Sequence, residues 1–216
     1  TENGWSTNAR VPTDDAEIAS LLGVSVVLVA AARQFLGEAR FTRLVEAFRG
    51  VSEDDQANFT VRGILVALSR GVARYAVYTL DDGAATTAAT NQEAAFGLFR
   101  ADGTAKPVVG VLWNLTERVG SFRFVGEVSD AFGLDRADRR EWALAFRDGV
   151  RVAIAFWRWK DGRRTIRLPA VPGAALILNS AGNVLEHTDK GGVLDLTLGP
   201  EVTWLEFTGP ASRPSL

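Results

Sequence analysis

The hydrophobic period of this 216-residue chain changes once along its length, and that change limits what it can fold into. Up to about residue 119 the apolar residues recur at helical spacing. Beyond that point they alternate, or run in short stretches between turn signals. The chain therefore reads as two parts, one helix-rich and one built of strands. Hydrophobic residues make up 47% and charged residues 23%, enough apolar material for a sizeable core. With no Met, Thr1 is not an initiator, and residue 1 reads as a processing site or the edge of a longer chain.

In the first part the clearest helix starts at Ser52. Ser52-Glu53-Asp54-Asp55 has an N-cap serine and acids in the first turn, where the helix dipole favours negative charge. Ala57, Val61, Ile64, Leu65 and Leu68 follow at helical spacing, and Gly71 sits where a C′ glycine belongs. Residues 72–78, β-branched and aromatic, predict a strand. Residues 79–95 predict a polar loop, and Ala101-Asp102-Gly103 a turn. A second helix is predicted from about Lys106, with Pro107 at its first position and Val108, Val111, Leu112, Leu115 and Val119 as its stripe. Residues 24–32 form an apolar run interrupted only by Ser25, so period does not separate helix from strand there. The apolar run 21–32 is also shorter than the roughly 20 residues that span a bilayer. Residues 33–49 predict one amphipathic helix, with Phe35, Leu36, Leu44, Val45 and Phe48 on its apolar side.

The second part predicts about eight short strands, at 121–128, 142–146, 150–159, 164–168, 174–179, 184–187, 193–198 and 202–207. Asp148-Gly149, Asp161-Gly162, Gly182-Asn183 and Gly191-Gly192 supply the turns. Such a series predicts an antiparallel sandwich or barrel. The residues after Gly209 read as a polar tail.

Composition excludes several chemistries. There is no Cys, so no disulfide scaffold, zinc ribbon or thiol nucleophile. The single His187 cannot build a multi-histidine metal site. A net charge of −2 gives no sign of a nucleic-acid or anionic-membrane partner. No phosphate loop, dinucleotide fingerprint or metal motif is present, so no cofactor is expected.

The first residues, Thr1-Glu2-Asn3-Gly4-Trp5, resemble the end of strand seven in the (β/α)8-barrel glycoside hydrolases that retain configuration. The following order resembles these enzymes too. The helix from Ser52 is similar to helix seven, and residues 71–83 to strand eight and its loop. Phe96-Gly97-Leu98-Phe99 with Asp102-Gly103-Thr104-Ala105-Lys106-Pro107 is similar to the run into helix eight. The strand-rich end resembles the small β-sandwich that many of these enzymes carry after the barrel. The resemblance is to the family-39-like and family-5-like part of the clan.

What the resemblance implies is an α/β plus all-β chain: the last two βα units of a TIM barrel, then an antiparallel β-sandwich. Residues 1–119 would be the C-terminal portion of the barrel, 120–209 the sandwich and 210–216 a tail. A unit of such a barrel takes about 31 residues, so the stretch from Glu2 to Tyr78 carries about 45 too many, assigned to an insertion at about 14–50. Six units and the acid/base carboxyl at the end of strand four would lie upstream, leaving this chain inactive alone. By the same resemblance the substrate is a carbohydrate and the location extracytoplasmic or secreted.

The resemblance also assigns roles. Glu2 would be the nucleophile of a double displacement, which needs two carboxyl groups about 5–5.5 Å apart. Trp5 would stack on a sugar face. Tyr78 would turn its hydroxyl toward substrate or Glu2, or else pack inside the barrel. Asp81 would contact one substrate hydroxyl. Asp81 and Asp82 are a poor acid/base pair, because neighbours on an extended chain point opposite ways. Two other functions remain open: a carbohydrate-binding β-sandwich using Trp157 and Trp159, or a non-catalytic interaction protein. Trp157 and Trp159 share a strand face opposite Ile154, Phe156 and Arg158, and at most one of these sets is exposed. Two barrel strands without their neighbours would leave apolar surface uncovered, unless the run 21–32 patches it.

Overall fold

A computed structural model of the chain describes residues 14–22, 25–47, 51–83, 95–135, 137, 140–159, 162–168, 175–188 and 193–208. Contacts divide the chain into two units. One comprises Thr1–Thr60 and Ala76–Val109, the other Val61–Tyr75 and Gly110–Leu216.

Three short helices begin the described chain: α1 (Asp15–Leu22), α2 (Val26–Leu36) and α3 (Glu38–Ala47). Residues 26–32 of the apolar run are thus helical. Ser25 caps α2 by accepting a hydrogen bond from the Leu28 N–H at 3.3 Å. The single helix expected over 33–49 is instead broken at Gly37, which has φ +75° and donates its N–H to the Arg33 carbonyl at 3.0 Å. A residue with a Cβ seldom adopts that φ, so the glycine ends α2 and lets α3 start in a new direction. Ile18, Ala19, Val29 and Phe41 form a small core between the three helices. The Arg33 guanidinium joins them, reaching Asp15 and Glu38 at 2.6 Å each and lying 4.4 Å above the Phe41 ring. Phe35, placed by period on the apolar side, is 89% exposed, and Val26, Val27 and Leu28 are exposed too.

Helix α4 (Glu53–Ser69) begins as its sequence predicts, with the Asp55 N–H donating to Ser52 Oγ at 3.0 Å. Its end is closed by Gly71, at φ +76°, through N–H bonds from Gly71 to the Leu68 carbonyl and from Val72 to the Ala67 carbonyl. The strand expected over 72–78 does not form among the described residues; Val77 alone makes a bridge. β-Branched and aromatic residues favour a pleated surface, but a strand needs a neighbouring backbone to pair with. Helix α5 (Pro107–Val119) has Pro107 at its first position and buries Val108, Val111, Leu115 and Val119. Trp113, on its other side, is 73% exposed.

All eight strands of the described residues lie between Arg123 and Thr208: β1 (Arg123–Glu127), β2 (Glu141–Asp148), β3 (Arg151–Arg158), β4 (Arg164–Leu168), β5 (Ala175–Leu178), β6 (Val184–Thr188), β7 (Leu194–Leu198) and β8 (Thr203–Thr208). Six pair antiparallel in the order β1-β2-β3-β8-β5-β6, and β4 pairs with β7 in a second sheet. Asp148 and Arg151 are partners across the β2–β3 hairpin, where Gly149 takes φ +56°.

Strand β3 is buried at every position from Val152 to Trp157. Its period-two faces are therefore both covered. One face, with Val152, Ile154 and Phe156, packs with Ile166 and Leu168 of β4 and Leu194, Leu196 and Leu198 of β7. On the other, Ala155 is registered beside Trp204 and Ala153 beside Glu206 of β8. Helix α5 is tied to that side: Arg118 Nε lies 2.9 Å from Glu206 Oε1, and Asn114 Nδ2 donates to the Ser180 carbonyl at 2.9 Å. The two-faced cover decides the tryptophan question. Trp157 is 1% exposed and stacks on Trp142 at 5.5 Å, and Trp204 is equally buried. Trp159, just past the strand, is 54% exposed under the Arg62 guanidinium. No strip of exposed tryptophans runs along β3.

The Glu141 carboxylate, fully buried at the start of β2, accepts Arg158 Nη1 and Arg164 Nη1 at 2.6 Å each and the Asp135 N–H at 2.7 Å. It joins β2, β3, β4 and the preceding loop. Glu141→Ala should lower stability by about 3 kcal/mol, the lower end for breaking a buried pair because both arginines retain solvent contact. The urea midpoint measures this, and Glu141→Gln should cost less because it still accepts hydrogen bonds.

Candidate active-site segment

Of the four residues the resemblance singles out, Glu2 and Trp5 lie outside the described residues. Tyr78 and Asp81 lie on one short segment, and its geometry follows from residues 95–106 beside it.

That neighbouring stretch folds back on itself. Asp102 accepts the Thr104 N–H at 2.9 Å and the Thr104 hydroxyl at 2.6 Å, with Gly103 at φ +79° between them. These two bonds hold the Asp102 carboxyl below its ordinary range. What they add to stability is present above the ordinary carboxylate pKa and lost as pH falls through the depressed one. The turn brings Phe99 opposite Ala105, and Phe99 is also bridged in parallel to Asp81. The Leu98 and Phe99 N–H groups donate to the Leu80 carbonyl at 2.9 and 3.0 Å, and Asp82 N–H returns to the Phe99 carbonyl at 2.9 Å.

Two helix side chains hold the stretch from the other direction. Gln56 Nε2 donates to the carbonyls of Phe96 and Gly97 at 3.2 Å each. Arg100 makes a two-pronged pair with Glu53, with Nε to Oε1 at 2.8 Å. The backbones then cross at Gly97. A Cβ there would lie 2.2 Å from the Asp82 nitrogen and 2.3 Å from the Asp81 carbonyl carbon. No side chain fits, so glycine is required by the crossing.

Asp82 locks the crossing. Its Oδ1 accepts the Gly97 N–H at 2.7 Å and Lys106 Nζ at 2.7 Å, and Lys106 Nζ also reaches the Ala95 carbonyl at 3.3 Å. The Lys106 side chain is 1% exposed and that of Asp82 12%. Asp81, its neighbour, is exposed. The two acids thus point different ways, one into the structure and one out. Tyr78 is 39% exposed, with its ring edge-on to Phe96 at 5.8 Å, and the Tyr78–Thr79 peptide is cis. The segment presents a phenol and a carboxylate outward from a backbone that is fastened on its inner side. Such a mount suits groups that must keep their positions.

The Asp82–Lys106 pair was not foreseen. Its partners are 24 residues apart, and in sequence Lys106 reads only as the start of the helix at Pro107 and as part of the run into it. Among the described residues no three histidine or acidic side chains gather as a metal site, and no helix is long and apolar enough to cross a membrane.

No protein-family model matches the chain, and no curated protein sequence matches it. Solved structures do. A family 39 glycoside hydrolase from the gut symbiont Bacteroides cellulosilyticus WH2 superposes on 71% of this chain with a TM-score of 0.57 and 22% identity. A GH30 endoxylanase from Clostridium papyrosolvens C71 covers 78% of the chain with a TM-score of 0.48 and 8% identity. The chain spans 30% of the first protein's length and 44% of the second's. The family 39 likeness shows the fold: helices and antiparallel sheets arranged as in part of a glycoside hydrolase.

Removing either member of the pair takes from the other a buried charge-assisted contact of 2.7 Å. Asp82→Asn and Lys106→Met should each cost about 3 kcal/mol. The double variant should cost well under their sum, a coupling of about 2 kcal/mol in a denaturation cycle. Equal and additive losses would mean that the two side chains act independently.

Proposed function

We propose that the chain is the C-terminal part of a retaining (β/α)8-barrel glycoside hydrolase. Residues 1–119 supply the last two βα units, with an insertion at about 14–50, and residues 120–209 form the β-sandwich. The observation that supports this best is a coincidence of two kinds of likeness. The fold is shared over 71% of the chain with a family 39 glycoside hydrolase of which it spans only 30%. The order of motifs from Glu2 to Pro107 independently resembles the end of such a barrel.

In this reading the substrate is a carbohydrate, and Glu2 attacks the anomeric carbon as a carboxylate to form a glycosyl-enzyme intermediate. The second carboxyl, which protonates the leaving oxygen and then activates water, comes from upstream of residue 1. Trp5 stacks against a sugar face through its indole. Asp81, presented outward from the fastened segment, contacts one substrate hydroxyl, and Tyr78 turns its hydroxyl toward substrate or toward Glu2. The Asp82–Lys106 pair and Gly97 keep that presentation fixed without touching substrate. A reading as a tryptophan-strip binding module has less support, because Trp157 and Trp204 are buried.

Purified 1–216 should not hydrolyse aryl glycosides, since it has one of the two carboxyl groups. Turnover by 1–216 that is lost in Glu2→Gln would overturn the fragment reading. With the acid/base units restored upstream, Glu2→Gln should lower kcat at least about 1,000-fold, or about 4 kcal/mol of barrel-bound transition-state stabilisation. Tyr78→Phe should lower it less and leave the urea midpoint near wild type.

A further inference from the structure

A groove of about 380 Å³ opens in the strand-built unit, lined by residues of β5, β6, β7, the start of β8 and the adjoining turns. Its volume lies within the range of about 300–1,000 Å³ typical of small-ligand sites. A second depression of about 210 Å³ beside Phe122 falls below that range, and the Phe122 ring there is already faced by Arg151 at 5.0 Å.

The lining of the larger groove is rich in groups that accept hydrogen bonds. Asp195 and Glu201 each retain acceptor capacity beyond one exposed arginine contact, Arg167 at 3.3 Å and Arg163 at 3.1 Å. Glu186 has no ion-pair partner among the described residues. Thr197 and Arg163 add a hydroxyl and a donor fork. Leu185, 60% exposed, supplies the apolar surface. Three carboxylates face one lining guanidinium, that of Arg163, while Arg167 pairs Asp195 from outside the lining, so the groove is net negative. An anionic ligand would be repelled, and a polycation would find two of the three acids already paired. A neutral ligand dense in hydroxyls fits best: each hydroxyl donates to a carboxylate or accepts from Arg163, while its C–H face lies on Leu185.

We propose that this groove binds a short neutral saccharide segment, one without carboxylate or sulfate groups. The choice of saccharide as ligand class rests on the glycosidase reading; the location rests on the groove itself.

Calorimetric titration of 1–216 tests it with xylotetraose and cellotetraose as neutral probes, tetragalacturonate as an acidic one and spermidine as a cationic one. One of the neutral probes should bind with Kd of about 1 mM, roughly −4 kcal/mol. Glu186→Gln and Leu185→Asp, both at exposed positions, should each weaken it about fivefold or more while leaving the circular dichroism spectrum unchanged. Glu2→Gln should bind as wild type. Four results would each overturn the proposal: no binding of either neutral probe at about ten times that concentration, binding indifferent to both groove variants, tighter binding of tetragalacturonate or spermidine, or binding lost in Glu2→Gln. The last would move the sugar to the nucleophile segment and leave the glycosidase reading standing. The other three leave that reading to its own turnover assay.

Discussion

Strand β3 has no solvent face. Six consecutive residues of it are buried, including Phe156 on one side and Trp157 on the other. A strand of this kind is stable only if both faces of its sheet are covered. The two-stranded β4–β7 sheet covers one, through Ile166, Leu168, Leu194, Leu196 and Leu198. Helix α5 is fastened on the other, through Arg118 to Glu206 on β8 and Asn114 to the turn after β5. The strand-rich part is thus not a free sandwich with an added helix. Its second face is joined to a helix that the proposed reading places at the end of the barrel.

This connection bears on function. In the proposed enzyme, α5 would be helix eight, and it begins directly after Lys106. Lys106 in turn holds Asp82 beneath the segment that presents Tyr78 and Asp81. Within its own unit, that segment is fastened by a crossing that admits only glycine at 97 and by a buried ion pair. In the proposed mechanism Tyr78 and Asp81 must keep their positions, because angstrom-scale displacement is costly to catalysis. The rigidity is therefore built from residues that do not contact substrate in the proposed mechanism.

The strands were legible because alternation and turn residues coincide. Arg164–Leu168 falls where the pattern puts it, and Asp148-Gly149 forms the expected turn, with Gly149 at φ +56°. The cap at Ser52 and the stop at Gly71 were equally readable, since each is a local chemical device. Other features were not. The break at Gly37 hid inside an apparently continuous helical period, and Phe35 looked apolar-facing although no neighbour covers it. Residues 72–78 have the composition of a strand, but composition does not supply a partner backbone. The Asp82–Lys106 pair is a tertiary contact over 24 residues, with no local signature at either end. Of the candidate site, the outward and inward split of Asp81 and Asp82 could be read from extended geometry. What holds it in place could not.

The account stands on the chain being one part of a barrel enzyme, and the mass and N-terminal sequence of the native polypeptide that contains these 216 residues test that most directly. The account predicts about 190 further residues before Thr1, six βα units long, with the acid/base carboxyl closing the fourth strand. A native polypeptide that begins at residue 1 would contradict it.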